Sequence, residues 1–267
     1  MTILDDIVKY KRIEELPKQM QIREPNLVRA EAKLATPPKD FVAALRATER
    51  IALIAEVKKA SPSKGLLRHK FDPIELASSY AENGAAGISV LTDVKYFQGK
   101  LDYLTQIRDH LKQIMGERRP GVLRKDFIFD PYQVYEARAA GADALLLIAA
   151  VLKDDEMAVL LSLTRKLSMT ALIEVHNRAE LDRVLPLEPR LIGVNNRNLH
   201  DFSVDLNNCI ELRQHVPDSI CFVAESGIHT AADVARLSQE GIDAILVGEA
   251  LVKSKDVGRK VRELLSL

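Results

Sequence analysis

The alternation of short apolar runs with helical patterns constrains the fold of this chain more than any other feature. Eight runs rich in β-forming residues are separated by helical segments from about residue 51 to the end. Several runs are apolar without alternation, which is typical of strands buried on both faces of a parallel sheet. We predict strands over 51–57, 87–91, 121–124, 144–148, 170–175, 191–194, 220–224 and 244–247.

The segments between these runs carry helix start and stop signals. Asp130 followed by Pro131 places an N-cap residue before a proline at the first helical position. Gly141 and Gly241 stand just before the next strand, where a glycine commonly ends a helix. We predict helices over 130–140, 153–167, 178–185 and 230–240.

Two architectures suit alternating strands and helices: an open doubly wound α/β sheet and a closed (β/α)8 (TIM) barrel. Eight strands favour the barrel. After the first strand the chain reads Lys58 to Gly65, KKASPSKG, which lacks the glycine-rich fingerprint of a dinucleotide-binding sheet. We predict one barrel domain over 1–267, of which 1–48 is an N-terminal helical extension with helices at 3–16 and 41–49.

Composition excludes several classes of partner. The 38 Lys and Arg balance 38 Asp and Glu, so no overall charge would attract nucleic acid or a membrane surface. The longest apolar run, 144–152, is too short to span a bilayer. No signal peptide is recognisable, and two cysteines form no disulfide framework. We expect a cytoplasmic protein that is a monomer or a weak homodimer, binds neither nucleic acid nor membrane, and acts on a small molecule.

Charged and polar residues follow the predicted strands. In a (β/α)8 barrel the catalytic groups lie at the carboxyl ends of the strands, so these residues should converge on one mouth. Burying such side chains without partners would be costly, which makes a functional site the better interpretation. The candidates are Glu56, Lys58, Lys125, Glu174, Asn195, Arg197, Glu225 and Ser226.

Two glycine-containing turns indicate a phosphate site. Ser226-Gly227 follows the seventh strand and Gly248-Glu249 follows the eighth. The loops after these strands are the usual phosphate site of such barrels, because their backbone N–H groups lie near a helix start. The residue types therefore predict lysines and glutamates acting on a phosphorylated small molecule. Acid–base catalysis and Schiff-base formation on a lysine both remain open at this point.

Several motifs resemble those of the indole-3-glycerol phosphate synthase family. The first, IAEVKKASPSKG at 54–65, is the most specific. The others occur in the family's order and cover the chain: 90–93, 97–99, 123–128, 173–176, 192–199 and 223–228.

The resemblance implies a (β/α)8 enzyme that uses no metal and no organic cofactor. It would convert 1-(2-carboxyphenylamino)-1-deoxyribulose 5-phosphate into indole-3-glycerol phosphate, carbon dioxide and water. By this resemblance Lys125 is the general acid of ring closure, and Glu174 stabilises positive charge on the anilino nitrogen or relays a proton. Glu56 and Lys58 position the substrate and serve the dehydration step. Asn195 and Ser226 complete the catalytic group.

The remaining site residues follow by the same resemblance. Ser61 and Arg197 contact the anionic substrate, and Glu225 belongs to the substrate-binding set. The phosphate loop comprises Gly227, Gly248 and Glu249. Phe97 and Phe127 wall the aromatic ring of the substrate. Glu249 replaces a smaller residue of the family, and we expect its carboxylate to face away from the phosphate.

Two other functions are possible for a barrel with these residues. A Schiff-base sugar-phosphate aldolase would share the phosphate loop and a barrel lysine, and a barrel that only binds a partner would have lost part of the charged set. We further expect the N-terminal extension to cover the barrel mouth. His176 is expected to be structural, on the strand face opposite Glu174.

Overall fold

The computed structural model describes residues 2–198 and 202–267 and contains a closed barrel of eight parallel strands. Leu199, which ends the motif 192–199, lies outside the described residues. Around the barrel the strands follow chain order, and the last strand pairs with the first. The strands are β1 (Ala52–Val57), β4 (Gly87–Leu91), β5 (Gly121–Lys125), β6 (Ala144–Ile148), β7 (Thr170–Val175), β8 (Leu191–Asn195), β9 (Cys221–Glu225) and β10 (Ala244–Val247). A small hairpin, β2 (Ala60–Ser61) and β3 (Gly65–Leu66), follows β1.

The eight predicted strands are confirmed, with small differences at their ends. The strands β5, β8 and β9 extend one residue further than predicted and include Lys125, Asn195 and Glu225. Their polar side chains had suggested a loop, but Lys125 is in register with Leu91, and Asn195 with Glu225. The polar residues of the site are therefore held on the rigid ladder of the barrel itself.

Helices connect the strands and cover the outside of the barrel. No helix of the described ranges is long and apolar enough to cross a membrane. The four helices before the barrel are α1 (Ile3–Tyr10), α2 (Leu16–Ile22), α3 (Pro25–Leu34) and α4 (Phe41–Arg46). Those after β1 are α5 (Pro73–Glu82), α6 (Leu101–Met115), α7 (Pro131–Ala139), α8 (Asp154–Lys166), α9 (Arg178–Val184), α10 (Asn207–Arg213), α11 (Ala231–Gln239), α12 (Glu249–Val252) and α13 (Val257–Leu265).

The predicted caps are confirmed. The Asp130 side chain accepts a hydrogen bond from the backbone N–H of Tyr132 at the start of α7. Gly141 and Gly241, after α7 and α11, adopt φ of 87° and 73°, a conformation that glycine reaches without strain. These local signals fix where the chain turns back into the barrel.

Two helix ends in the extension differ from prediction. The first helix does not stop at residue 16, because it continues through a π-helical turn, Lys11–Glu15, into α2. Pro17 is tolerated there because it lies in the first turn of α2. The helix predicted over 41–49 ends at Arg46, after which the Thr48 hydroxyl donates to the carbonyl oxygen of Leu45 in a turn.

Phe41 of α4 closes the amino-terminal end of the barrel. Its side chain is fully buried, and a Cβ at Gly121 would lie 2.5 Å from the ring. A Cβ at Gly87 would lie 2.9 Å from it. The two glycines that begin β5 and β4 thus leave room for the ring. The extension contributes this plug to the interior of the barrel.

A buried charge cluster attaches the first helix to the other end of the barrel. Lys11 is 1% exposed, and its Nζ lies 2.8 Å from Asp126 Oδ1, 3.1 Å from Asp93 Oδ2 and 2.7 Å from Glu15 Oε1. Burial lowers the pKa of Lys11, but the attraction of Asp126 and Asp93 outweighs it and raises the pKa above its usual value. Asp126 directly follows the candidate acid Lys125, so the cluster lies beside the site.

Candidate active site

The predicted site residues line one cavity at the carboxyl-terminal mouth of the barrel. This agrees with the rule that parallel strands deliver their functional groups to one end of a (β/α)8 barrel. The strand-end positions are Glu56 on β1, Lys125 on β5, Glu174 on β7, Asn195 on β8 and Glu225 on β9. The rest of the predicted set surrounds them: Lys58, Ser61, Phe97, Phe127, Arg197, Ser226, Gly227, Gly248 and Glu249.

Lys125 lies between two carboxylates. Its Nζ is 2.7 Å from Glu225 Oε2 and 3.4 Å from Glu174 Oε2. Burial lowers the pKa of Lys125, but the attraction of Glu225, Glu174 and Glu56 outweighs it, and the pKa lies above its ordinary value. Lys125 is therefore an ammonium group at neutral pH, which is a proton donor rather than an amine nucleophile.

Glu225 has the most unusual carboxylate of the site. Burial raises its pKa to about 7, with Lys125 opposing the rise and Glu174 adding to it. One oxygen, Oε1, has no hydrogen-bond partner within the described chain. A Cβ at Gly193 on β8 would lie 2.2 Å from that oxygen, so the absence of a side chain at Gly193 makes room for it. Glu225 can therefore exchange a proton near neutral pH.

Glu56 and Lys58 form a second pair. Lys58 Nζ lies 2.6 Å from Glu56 Oε1, as expected for residues two apart at a strand end. Burial raises the pKa of Glu56, but the attraction of Lys58 and Lys125 outweighs burial and lowers the pKa below its usual value. The carboxyl is therefore ionised. A Cβ at Gly248 would lie 2.5 Å from Glu56 Oε1. Gly248 therefore leaves space for this pair as well as belonging to the predicted phosphate loop.

Glu174 is held by three neighbours. Lys125 approaches Oε2, while Asn195 Nδ2 donates to Oε1 at 3.2 Å. His176 Nε2 also lies 3.2 Å from Oε1. The expectation that His176 faces away from Glu174 is wrong, because residues two apart at the end of a strand point to the same side. Burial raises the pKa of Glu174, but Lys125 and His176 lower it well below its usual value.

An apolar wall faces the charged groups. The rings of Phe97 and Phe127 lie 6.1 Å apart at an interplanar angle of 40°. Helix α1 adds Ile3, Leu4 and Ile7 to the lining, so the extension does contribute to the mouth. We did not predict these three as site residues, although apolar residues at helical spacing were a signal that this helix buries a face.

The turns after β9 and β10 form the opposite side of the cavity. Ser226 and Gly227 adopt φ of 66° and 79°, and a Cβ at Gly227 would lie 2.2 Å from Val204 Cγ1. Gly248 is the N-cap residue of α12. Residues of both turns line the cavity, which is where backbone N–H groups would have to lie to bind an anion.

Glu249 is among the residues that line the cavity, and both of its carboxylate oxygens lie near cations. That this carboxylate faces away from a bound phosphate stays a prediction. Its Oε1 pairs with Lys253 at 2.6 Å, and its Oε2 is 4.0 Å from an Arg197 guanidinium nitrogen. The Arg197 Nη1 donates to the carbonyl oxygen of Phe202 at 3.2 Å. Burial raises the pKa of Glu249, but Lys253 outweighs it and the pKa is lowered. Both cations reduce the repulsion that this carboxylate would exert on an anion.

The fold and the cavity define a (β/α)8-barrel protein with a lysine–carboxylate site beside an apolar wall and two glycine-containing turns. The model of the family described as indole-3-glycerol phosphate synthase matches residues 4–264 of the chain. The chain belongs to the indole-3-glycerol phosphate synthase family.

Two relatives of that name are similar over nearly their whole length. The indole-3-glycerol phosphate synthase of Roseiflexus sp. (strain RS-1) is 54% identical over 265 residues, covering 98% of each chain. That of Polaromonas sp. (strain JS666 / ATCC BAA-500) is 48% identical over 268 residues, covering 99% of this chain and 98% of the relative.

Solved structures with the same fold are more distant in sequence. A 3-hexulose-6-phosphate synthase superposes with a TM-score of 0.64 at 16% identity, covering 81% of this chain and 99% of the other. A thiamine phosphate pyrophosphorylase from Pyrococcus furiosus does so with a TM-score of 0.59 at 20% identity, covering 81% and 94%. These likenesses concern the barrel fold alone.

Proposed function

We propose that the chain converts 1-(2-carboxyphenylamino)-1-deoxyribulose 5-phosphate into indole-3-glycerol phosphate, carbon dioxide and water. The observation that carries this proposal is the cluster of two lysines and three glutamates. It lies between a phenylalanine wall and a glycine-containing turn. A substrate with an aromatic ring at one end, a ketone in the middle and a phosphate at the other end matches this order of surfaces.

Lys125 is the acid of the ring closure. The ring carbon that bears the carboxylate forms a bond to the ketone carbon, and the carbonyl π electrons move to the ketone oxygen. That oxygen becomes far more basic as charge develops on it, so the Lys125 ammonium donates a proton in the transition state. Glu225, 2.7 Å from Lys125, can return a proton to it because its pKa is about 7.

Glu174 stabilises the positive charge that the anilino nitrogen gains during closure. It suits this role because it is ionised and oriented by Asn195 and Lys125. Carbon dioxide then leaves from the ring carbon, and the bonding electrons restore aromaticity. No oxidant or reductant is required.

The pair of Glu56 and Lys58 serves the dehydration step. Water leaves when the new hydroxyl accepts a proton from Lys58 and the neighbouring carbon loses a proton to Glu56, which forms the double bond of the indole. The two groups are 2.6 Å apart, so both act on adjacent atoms of one intermediate.

The remaining predicted residues bind the substrate. Phe97 and Phe127 pack against its aromatic ring, and Ser61 and Arg197 contact its anionic groups. The turns with Ser226-Gly227 and Gly248-Glu249 hold the phosphate through backbone N–H groups.

The Schiff-base aldolase is the second candidate, and Lys125 argues against it. An amine nucleophile must be neutral, whereas the carboxylates around Lys125 keep it protonated. Treatment with borohydride in the presence of substrate tests this directly. No covalent adduct is expected, and an adduct on Lys125 or Lys58 would favour the aldolase.

The proposed activity is tested by supplying the substrate to the purified chain after treatment with a metal chelator. Indole absorbance and fluorescence report the product, and the chain contains no Trp to interfere. We expect product formation that the chelator does not reduce. A folded chain that yields no product would overturn the proposed function, and restoration of activity by a metal would overturn the metal-independent mechanism.

We also propose a cytoplasmic location and a monomer or a weak homodimer. Sedimentation equilibrium over a range of concentrations tests the oligomeric state. A stable oligomer of higher order at micromolar concentration would contradict it.

A further inference from the structure

His176 lies between two carboxylates at the rim of the site. Its Nε2 is 3.2 Å from Glu174 Oε1, and its Nδ1 is 3.1 Å from Glu180 Oε2. The side chain is 12% exposed. Neither the proposed reaction nor the predicted set of site residues uses this histidine.

Glu180 fixes the ring from the outer side. The backbone N–H of His176 donates to Glu180 Oε2 at 2.8 Å, and Nδ1 lies 3.1 Å from the same oxygen, which as part of an ionised carboxylate can only accept. Asn177 holds Glu180 in turn, because its side chain donates to Oε1 and caps the first turn of α9. This double contact identifies Nδ1 as a proton donor and sets the orientation of the imidazole.

The contact between Nε2 and Glu174 then indicates the charge of the ring. With a proton on Nδ1 only, Nε2 would present a lone pair to the negative Glu174 oxygen, and the contact would be repulsive. With a proton on both nitrogens the contact is attractive, although Nε2 makes no aligned hydrogen bond there. Burial lowers the pKa of His176, but the attraction of the Glu174 and Glu180 carboxylates, together with the Nδ1 contact to Glu180, outweighs it and raises the pKa to about 10.

Other charged groups also act on this pair. Lys125 occupies the second oxygen of Glu174, and Asn195 donates to the first. The carboxylates of Glu225 and Glu56 repel the Glu174 charge from β9 and β1. Without His176, Lys125 would be the one cation within 4 Å of Glu174 among the described residues.

We propose that His176 is a positioning residue: as an imidazolium held by Glu180, it fixes the Glu174 carboxylate and keeps it ionised beside Lys125. The kinetic part of this inference rests on the proposed function, whereas the charge and contacts of His176 do not. Because Glu174 has one oxygen for His176 and one for Lys125, the two cations together prevent it from taking the Lys125 proton.

The charge is tested without any activity by NMR of the imidazole groups between pH 6 and 9. The chain has 6 histidines, and His176→Asn assigns the His176 signal by its loss. We expect this signal to remain that of a doubly protonated ring up to pH 8.5. In Glu180→Gln the pKa of His176 should move downward. A His176 signal that titrates near pH 6.5, like an ordinary histidine, would overturn the proposal.

The positioning role is tested by the pH profile of kcat for His176→Asn, with His215→Asn on the exposed surface as the matched control. The proposed reaction requires Glu174 in its ionised form, and removing the positive charge of His176 raises the pKa of Glu174. The acid limb should therefore move upward by about one pH unit, which is about a tenfold loss of kcat on that limb. Above pH 8.5 kcat should approach that of the unchanged chain.

An unshifted profile, or an equal loss at every pH as a purely structural role would give, would overturn the positioning role. If the unchanged chain makes no indole, the proposed function fails, and the NMR measurement still decides the charge of His176.

Discussion

At the scale of single residues, Glu225 links the site to the stability of the fold. Its pKa is about 7 when folded, against a usual value of 4.5. Between these values the folded chain binds more protons at this group than the unfolded chain does. The contribution of Glu225 to the free energy of unfolding therefore falls as pH rises from 4.5 to 7.

Glu225→Gln should remove this dependence. Relative to the unchanged chain, the variant should gain stability as pH rises through this window and keep the gain above pH 7. Urea denaturation at pH 5, 6, 7 and 8 measures the difference. Glu211→Gln, on the exposed side of α10, is the control and should show no such trend. A pH-independent difference for Glu225→Gln would contradict the raised pKa.

Gly193 illustrates a site residue that carries no functional group. A methyl group there would lie 2.2 Å from Glu225 Oε1 and 3.1 Å from Leu172 Cδ1, so Gly193→Ala should displace the carboxylate from Lys125. We expect kcat to fall by about a hundredfold, the effect of a misplacement of about 1 Å. Steady-state kinetics and circular dichroism measure the change and the integrity of the fold.

Glu225→Asp supplies the partner for a double-variant cycle. The shorter side chain leaves room for the added methyl group, so the combined loss should be smaller than the product of the two single losses. Independent, multiplicative losses would show that Gly193 does not act through Glu225.

At the scale of elements, the first helix depends on Lys11. Lys11→Met would leave the buried carboxylate of Asp93 without its cation and Asp126 with Arg124 alone. The expected loss is about 3–5 kcal/mol in the free energy of unfolding. KM should also rise, because Ile3 and Ile7 of the same helix line the cavity. Lys9→Met, on the exposed side of α1, is the matched control.

Denaturant titration and steady-state kinetics measure both effects. A Lys11→Met chain as stable as the Lys9→Met chain would mean that the buried cluster does not hold the extension to the barrel.

The elements of the barrel could be predicted because both faces of each strand are buried, which leaves a continuous apolar run in the sequence. Their last residues could not, since Lys125 and Asn195 are polar but still pair with neighbouring strands. The continuation of the first helix past Pro17 could not be predicted either. It depends on a π-helical turn that no spacing of apolar residues indicates.

At the scale of the whole molecule, the strand-end rule predicted which charged residues meet. It could not predict how they pair. Lys11 looks like a solvated helical lysine in the sequence, and its partner Asp93 is 82 residues away. The pairing of His176 with Glu180 and the space left by Gly193 also depend on packing. These contacts set the charges of the site, whereas the sequence indicates only which groups are present.

Lys125 is proposed as the acid of an indole-forming reaction, and the Lys125→Ala variant tests this role. Indole formation from the carboxyphenylamino-deoxyribulose phosphate is followed under saturating substrate, with circular dichroism as the check on folding. We expect kcat to fall by about 10²- to 10⁴-fold, the usual contribution of a positioned acid. A folded Lys125→Ala chain that keeps the kcat of the unchanged chain would contradict it.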